Sequence, residues 1–356
     1  MPSLDPPGGI IPTTPEELTP AWLGPVLTRH GFSAAVESIE FAPLDVRTQT
    51  SELLRVIPRY QDETTGFAPP LVWKRSASDP ARREAFKGGY AQEVAFYREI
   101  APRVPVSVPR CFVAAADPIS GEHVLLLEDV GPDRRADLLE GVTAEDAATV
   151  LAELATLHAS AWGTPPADGD FARYRPFFEE HAATGAAFLE AVVEGDVRRR
   201  NAAYAPSVGR WWAELAAAPQ TRIHGDAHAR NIVFPRKPGR PVLVDWQAWR
   251  IGAGARDVAR LLVLGLPAAG RREQERELLD GYVATLEARG VAADAGAVER
   301  EYRIASALQW GWAVTFVRHE AVWDDDTRRA MPELARRAAA AFDDALAWLD
   351  RESRQS

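Results

Sequence analysis

The sequence predicts an α+β fold in two lobes, an N-terminal lobe built on an antiparallel sheet and a larger, mostly helical C-terminal lobe. Three observations lead to this expectation. Short apolar β-forming runs dominate the chain up to about residue 130, whereas apolar residues recur mainly at helical spacing from Thr143 onward. The length of 356 residues also exceeds the need of one small domain and is enough for two hydrophobic cores.

The N-terminal sheet is predicted from five short runs. Residues 36–41, 53–58 and 70–74 are candidate strands, and the third of these ends in a lysine. Residues 111–116 and 123–128 form a predicted hairpin, because the residues between them include Asp, Pro, Ser and Gly, which favour turns.

One main helix is predicted within this lobe, starting at Pro80. The adjacent glycines Gly88 and Gly89 predict a break, since glycine costs helical stability. Residues 90–100 then continue the helix, with apolar side chains at helical spacing.

Helical patterns dominate the second half of the chain. The sequence Thr143-Ala-Glu-Asp146 predicts a capping box at the start of the first helix. Residues 173–178 are predicted to form an irregular aromatic stretch. Further helices are predicted over residues 182–193, 208–218, 258–264, 271–290, 294–322 and 327–351.

The segment from His224 to Gln247 is the most informative part of the chain. Residues 232–234 and 242–244 are apolar β-forming runs, and the connector between them is rich in proline. If the two runs pair antiparallel, Asn231 lies opposite Asp245. An amide oxygen beside a carboxylate suits Mg²⁺, which prefers hard oxygen ligands. Asp226, five residues before Asn231, can then reach a substrate hydroxyl.

The segment has two other interpretations. The alternation of His224, Asp226 and His228 is typical of zinc sites, but the chain has seven histidines and one cysteine, with no second cluster of ligands. A plain surface loop would not require so many specific polar residues around a hairpin. His224 and His228 are predicted to hold the loop by hydrogen bonds.

The pattern His224-Gly-Asp226-x-His228-x-x-Asn231, followed by Asp245, resembles the aminoglycoside phosphotransferase and choline kinase-like superfamily of small-molecule kinases, which includes ecdysteroid kinase-like proteins. The resemblance implies a protein-kinase-like fold, with ATP and Mg²⁺ as cofactors. It implies that Asp226 is the catalytic base and that Asn231 and Asp245 are metal ligands. Trp246 and Gln247 stand where protein kinases have Phe-Gly, which disfavours a protein kinase.

A lysine at the end of a strand and a glutamate on the following helix complete the kinase pattern. In kinases such a pair positions the ATP phosphates, and Lys74 with Glu93 matches this arrangement. Glu84 and Glu99 are alternative partners. A water-facing edge lysine is the simplest other interpretation.

The phosphate-binding loop is where the resemblance weakens, because residues 43–51 contain no glycine. Thr48, Thr50 and Ser51 could donate hydroxyl and backbone N–H groups instead. Further along, the resemblance implies that the backbone groups of Glu128 and Val130 bind adenine.

The resemblance also implies a division of the chain. It places the nucleotide-binding lobe at residues 1–127, the hinge at 128–131 and the helical lobe with the acceptor site at 132–356. Asp257 either ties the catalytic loop through backbone N–H groups, as in the family, or caps the helix that follows.

Charge and composition indicate which kinds of partner and which compartment to expect. The formal charge of −10 disfavours nucleic acid, which would need a basic face. A lone Cys111 suits a reducing cytoplasm, and the N-terminus does not have the pattern of a signal peptide. No apolar stretch reaches the length of a membrane span. We therefore expect a cytoplasmic protein without a membrane partner.

The expected activity is ATP-dependent phosphorylation of a hydroxyl on a small molecule, such as an aminoglycoside or another antibiotic or natural product. The alternatives are a kinase of an amino alcohol or sugar metabolite, and a nucleotide-binding pseudokinase scaffold. Two features bear on the acceptor. The acidic run at 324–326 is either a helix cap or a contact for a cation. The aromatic residues of 301–318 are typical of a helix core, and as ligand contacts they would suit an apolar or aromatic acceptor.

Overall fold

The structure is a computed structural model that divides into two compact units. It describes residues 2–44, 50–61, 67–165, 171–235 and 239–354. The first unit comprises Met1–Val104, Val108–Gly131 and Val244–Ala248. The second comprises Pro105–Ser107, Pro132–Leu243 and Trp249–Ser356.

A five-stranded antiparallel sheet forms the centre of the first unit. Its strands are β1 (Val36–Pro43), β2 (Ser51–Tyr60), β3 (Leu71–Ser76), β4 (Cys111–Ala116) and β5 (His123–Glu128). They are ordered β1-β2-β3-β5-β4, and every neighbouring pair is antiparallel. The predicted N-terminal antiparallel sheet is therefore confirmed.

One face of this sheet is covered by a helix that the sequence analysis missed. Helix α1 (Pro20–Arg29) is capped by the side chain of Thr19 and buries Trp22, Leu23 and Val26. These residues belong to one apolar cluster with Leu71 and Trp73 of β3. Because side chains alternate along a strand, Lys74 points to the opposite face from Trp73.

Helix α2 (Pro80–Ala95) packs against β3, β4 and β5 and continues as a π-helical turn (Phe96–Ile100). The predicted break is wrong, because α2 runs without interruption through Gly88 and Gly89. Two interior glycines cost about 1 kcal/mol each relative to alanine. Burial of Tyr90 and Val94 just after them offsets that cost.

The second unit is mainly helical. Its helices are α3 (Ala144–Ala159), α4 (Tyr174–Val192), α5 (Val197–Tyr204), α6 (Val208–Ala217), α7 (Ala255–Gly265), α8 (Ala268–Ala288), α9 (Ala295–Phe316) and α10 (Asp325–Ser353). The capping box at Thr143 is confirmed. The irregular stretch predicted over 173–178 is wrong, because α4 begins at Tyr174 and its Phe178 is buried. Helix α5 was not predicted.

Five short strands complete the second unit: β6 (Pro132–Arg135), β7 (Gln220–Ile223), β8 (Ile232–Pro235), β9 (Val242–Leu243) and β10 (Arg250–Ala253). Strands β6, β8 and β9 form one sheet, and β7 pairs with β10. The predicted hairpin exists, but its register differs by one residue. Ile232 pairs with Leu243, whereas placing Asn231 opposite Asp245 would have paired Ile232 with Val244.

Helix α7 lies at the centre of the second unit and is almost entirely buried. It packs on α9, and α9 packs in turn on α4 and α10. The position of α7 matters for the site, because it carries two side chains that reach the loop after β7. Within the described part of the chain, no helix combines the length and apolar character needed to cross a membrane.

Candidate active site

The first unit holds a buried lysine bonded to two carboxylates. Lys74 of β3 lies 2.7 Å from Glu93 Oε2 and 2.7 Å from Asp245 Oδ1, measured from Nζ. Glu93 comes from α2, and Asp245 follows β9 by two residues. Of the three glutamates considered as partners, Lys74 pairs with Glu93, while Glu84 pairs with Lys87.

The charges of this group depend on one another. Burial by itself lowers the pKa of Lys74, but the adjacent carboxylates of Asp245 and Glu93 outweigh it, so the pKa lies above its ordinary value. Burial raises the pKa of Glu93, and the ammonium of Lys74 opposes that rise. The lysine is therefore the charge that allows two carboxylates to lie so close together.

Removing that charge should destabilise the protein. Lys74→Met leaves Glu93 buried without a cation, and we expect a loss of about 3–5 kcal/mol in the free energy of unfolding, measured with urea. Lys87→Met, at an exposed pair on the same unit, is the matched control. Adding Glu93→Gln to Lys74→Met should restore part of the loss. Equal stability of the Lys74 and Lys87 variants would contradict this account.

The backbone at Asp245 has an unusual conformation. Asp245 is the only non-glycine residue with a positive φ, 65°, among the described residues. Trp246 follows it, stacks on Phe96 at 3.9 Å and 7°, and donates its backbone N–H to Glu93 Oε1 at 3.3 Å. Gln247 donates to Asp245 Oδ2 at 3.2 Å. These contacts offset the strain and hold the carboxylate, whose side chain remains 21% exposed.

The loop formed by residues 224–231 in the second unit is held by Asp257 of α7. This carboxylate accepts the backbone N–H of His224 at 2.6 Å and that of Gly225 at 2.8 Å. It also lies 3.3 Å from His158 Nε2. Of the two predicted arrangements, Asp257 takes the one that ties the loop, while Gly254 occupies the N-cap position.

The carboxylate of Asp257 should control the stability of the loop in a pH-dependent way. Burial would raise its pKa, but the hydrogen bond from His158 and the backbone N–H groups outweigh burial and lower the pKa. A lowered pKa means that the carboxylate contributes stability above its unfolded value of about 4, and that this contribution is lost as the pH falls.

We therefore expect Asp257→Asn to lose about 1–3 kcal/mol for each donor left unsatisfied, measured by urea unfolding at pH 7. The difference from the parent protein should shrink as the pH falls below ~4, because the unfolded parent then binds a proton at Asp257 that the folded carboxylate, with its lowered pKa, does not. Asp280→Asn, at an exposed pair on α8, is the control. A difference that persists unchanged at low pH would show that the charge of Asp257 is not what stabilises the loop.

Asp226 lies within the same loop, after Gly225 with its φ of 82°. Its Oδ1 accepts hydrogen bonds from Arg260 Nη2 at 2.8 Å and Nε at 3.1 Å, and its Oδ2 lies 3.3 Å from His228 Nε2. The side chain is 30% exposed. Burial would raise the pKa of Asp226, but the charges of His228 and Arg260 hold the pKa well below its ordinary value.

Asn231 ends the loop with its amide fixed in one orientation. Its Nδ2 donates to the backbone carbonyl of Asp226 at 3.0 Å. The opposite atom, Oδ1, accepts no hydrogen bond from any residue that the structure describes, so it is available as a hard oxygen ligand. Asn231 Oδ1 and the partly exposed carboxylate of Asp245 each have the donor chemistry that a divalent cation requires.

The zinc alternative receives no support from the geometry. Among the described residues, no group of three or more His, Cys, Asp or Glu side chains is arranged to hold a metal ion. His228 contacts Asp226, and the Nδ1 of His224 accepts the backbone N–H of Asp226 at 3.3 Å. Both histidines therefore contribute to the hydrogen bonding of the loop.

The structure describes four of the five loop and hinge residues predicted to contact the nucleotide, and these four lie at or next to strand ends. Thr48 falls outside the described residues. Ser51 begins β2, and the hydroxyl of Thr50 lies 3.4 Å from that of Ser51. Glu128 ends β5 and donates its N–H to Arg110. Val130 follows β5 by two residues, and no described residue accepts its N–H.

Arg260 is the site residue that the sequence analysis missed. It is one turn beyond Asp257 on α7, and it is the one charged residue in the stretch 258–264, which was otherwise predicted as an apolar helix. A cation in such a helix, three residues from a second site aspartate, was a signal that could have been used. Asp324 stands in an acidic run of the sequence, and in the structure it bonds Arg230 of the 224–231 loop at 3.0 Å.

Comparison with known structures shows the same fold. A mutant of aminoglycoside 2′-phosphotransferase IIIa in complex with GDP has a TM-score of 0.54 at 11% identity, covering 87% of this chain and 94% of that chain. A choline/ethanolamine kinase family protein from Mesorhizobium loti has a TM-score of 0.52 at 18% identity, covering 92% and 96%. The Plasmodium vivax ethanolamine kinase has a TM-score of 0.51 at 11% identity, covering 86% and 81%.

These likenesses confirm the predicted protein-kinase-like fold. No curated protein sequence matches the chain. The model of the phosphotransferase enzyme family (APH) matches residues 58–296. This match spans more than half of the chain and includes Lys74, Glu93, Asp226, Asn231 and Asp245. The chain therefore belongs to the phosphotransferase enzyme family and is a small-molecule kinase.

Proposed function

We propose that the protein transfers the γ-phosphoryl group of ATP, with Mg²⁺, to a hydroxyl of a natural-product or antibiotic-like small molecule. The observation that carries this proposal is the 224–231 loop. There Asp226 is kept ionised and partly exposed, next to an asparagine whose amide oxygen is free. Family membership implies a nucleoside triphosphate and a divalent cation as cofactors.

In this proposal Asp226 orients the acceptor hydroxyl and accepts its proton. As oxygen of the acceptor forms its bond to the γ-phosphorus, the bond from phosphorus to the β–γ bridging oxygen breaks and ADP leaves. The hydroxyl proton passes to the Asp226 carboxylate and then to solvent. A carboxylate with so low a pKa is a weak proton acceptor, so its larger contribution is to orient the hydroxyl, which suits a loose transition state.

The remaining residues are assigned to the nucleotide and metal. Asn231 and Asp245 would hold Mg²⁺, which neutralises charge on the phosphates when it is bound. Lys74, positioned by Glu93, would contact the phosphates. Thr48, Thr50 and Ser51 would supply hydroxyl or N–H groups to the phosphates, and the backbone of Glu128 and Val130 would bind adenine. Residues 128–131 would act as the hinge.

The test is a transfer assay with the full chain. ATP and GTP should each be offered with Mg²⁺ against aminoglycosides, other antibiotics, aromatic natural products, amino alcohols, sugars and nucleosides, with the phosphorylated product identified by mass spectrometry. GTP is included because a neighbour of this fold was solved with GDP. We expect ATP-dependent product with at least one alcohol, and product formation about 10²–10⁴-fold slower with Asp226→Asn.

Two outcomes would count against the proposal. Nucleotide binding without transfer to any alcohol would favour the scaffold alternative. Transfer confined to amino alcohols or sugars would keep the kinase activity but replace the acceptor class with that of a metabolic enzyme.

A further inference from the structure

Arg260 forms a cationic platform beside the proposed catalytic carboxylate. Its guanidinium donates twice to Asp226 Oδ1 and lies 4.2 Å above the ring of Trp312. Its Nη1 also donates to Gln309 Oε1 at 3.3 Å. These three neighbours hold the guanidinium in place, and 12% of the Arg260 side chain remains exposed. An acceptor whose hydroxyl meets Asp226 must approach this guanidinium–indole pair.

Beside this pair, Trp312 is half-buried and stacks on Phe316, which is also half-buried, at 5.1 Å and 28°. Both rings pack on an apolar cluster that contains the buried Trp323, so only the exposed parts of Trp312 and Phe316 can meet an acceptor. A flat ring or fused ring system gains contact area on such a surface at little entropic cost. A flexible polar chain gains much less.

The charges around the loop do not favour a polycation. Asp226 is already paired with Arg260, and Asp324 serves as N-cap of α10 and pairs with Arg230. Arg256, one turn before Arg260 on α7, lies over Trp212 at 4.8 Å. Among the described residues, no carboxylate lies within ion-pair distance of Arg256. Burial and the charge of Arg250 lower the pKa of Arg256 to about 10, which leaves it cationic at neutral pH.

We propose that the acceptor is an alcohol with a flat, apolar body and without a cluster of positive charges, and that Arg260 stacked on Trp312 selects it. This inference rests on the proposed function, because it concerns the acceptor of that same reaction. An acceptor carrying several ammonium groups would bring them close to the cationic Arg260, whose carboxylate partner Asp226 is already paired. A flat neutral or anionic alcohol meets no such penalty.

The experiment compares two acceptor panels on the full chain with ATP and Mg²⁺. One panel contains aminoglycosides, and the other contains neutral or anionic hydroxylated aromatic natural products. Values of kcat and KM are measured for each acceptor that is phosphorylated. We expect kcat/KM for the best flat acceptor to exceed that for the best polycation by at least about tenfold.

Two variants separate selection from a general structural role. Trp312→Leu should raise KM for flat acceptors about tenfold while leaving KM for ATP unchanged. Arg260→Gln should lower kcat for all acceptors, since it contacts Asp226, and should also shift the kcat/KM ratio toward polycations about tenfold. A shift in this ratio is a readout that mere destabilisation would not produce.

Matched substitutions elsewhere in the second unit serve as controls. Arg276→Gln removes one member of an exposed ion pair on α8. Trp348→Leu removes an indole ring of α10 that Arg303 of α9 covers. Neither should change the acceptor ratio. Arg260→Lys keeps the charge without the planar fork, so it should retain discrimination against polycations but lose affinity for flat acceptors.

Different results would contradict the proposed function and the inference about its acceptor. Absence of transfer to any alcohol would overturn the proposed function and this inference with it. Efficient transfer to polycations, with an acceptor ratio that Arg260→Gln leaves unchanged, would overturn this inference alone. If Trp312→Leu left KM for flat acceptors unchanged, Trp312 would have no part in binding them, and the inference would also be wrong.

Discussion

Asp226→Asn should lower kcat by about 10²–10⁴-fold while leaving the affinity for ATP and Mg²⁺ close to that of the parent protein. Asparagine is nearly isosteric with aspartate, so the loop held by Asp257 should keep its form. The amide, however, carries no negative charge, so it orients the acceptor hydroxyl less strongly, and it cannot take the hydroxyl proton. The measurement is steady-state kinetics together with nucleotide binding by calorimetry.

A second variant at this position separates charge from orientation. Because the charges of His228 and Arg260 hold the pKa of Asp226 well below its ordinary value, the carboxylate is a weak base, and its position matters more than its basicity. Asp226→Glu keeps the charge but displaces it by one methylene, so we expect a loss almost as large as that of Asp226→Asn. Asp280→Asn is the exposed control. A Glu variant with near-parental turnover would refute the orienting role.

Asp245→Asn and Asn231→Ala should each raise the Mg²⁺ concentration needed for activity and lower kcat, because both residues are proposed to ligate metal. If they share one ion, the double variant should lose little more than the worse single variant, since residues acting as a unit are strongly non-additive. The measurement is kcat against Mg²⁺ concentration in all four proteins, with ATP binding followed in parallel by calorimetry.

Conservative variants sharpen this test. Asn231→Asp retains an oxygen ligand and should keep more activity than Asn231→Ala at high Mg²⁺. Asp245→Asn also removes one of the two carboxylates around Lys74, so its stability must be measured alongside. Fully additive losses, or nucleotide binding that stays equally dependent on Mg²⁺ in both single variants, would show that the two residues do not share an ion.

Much of the candidate site could be predicted because its residues are close together in the sequence. Asp226, His228 and Asn231 belong to one short loop, and Asp245 follows the hairpin that the loop begins. The pairing of Lys74 with Glu93 was also within reach, because a strand and the next helix carry the two side chains. Such local patterns resemble a known family residue by residue, and the resemblance supplied their expected roles.

Other features depended on packing that local patterns do not contain. Helix α1 was overlooked because it is short, contains a glycine and a proline, and is stabilised by burial on the sheet. Helix α2 continues through two glycines for the same reason. The hairpin register differs by one residue from the predicted one. Residues 242–244 are all apolar, so the pattern fits either register, and β9 pairs only at Ile232–Leu243 and Val233–Val242.

The sequence by itself determined the fold class, the family and the identity of the charged residues, since these follow from composition, periodicity and a short contiguous motif. Only the tertiary structure decided which charges meet. Asp226 bonds Arg260, which lies 34 positions away, and Asp257 holds the backbone of the 224–231 loop from α7. Such partners are chosen by how helices pack, and packing depends on contacts between residues far apart in the chain, which no local pattern encodes.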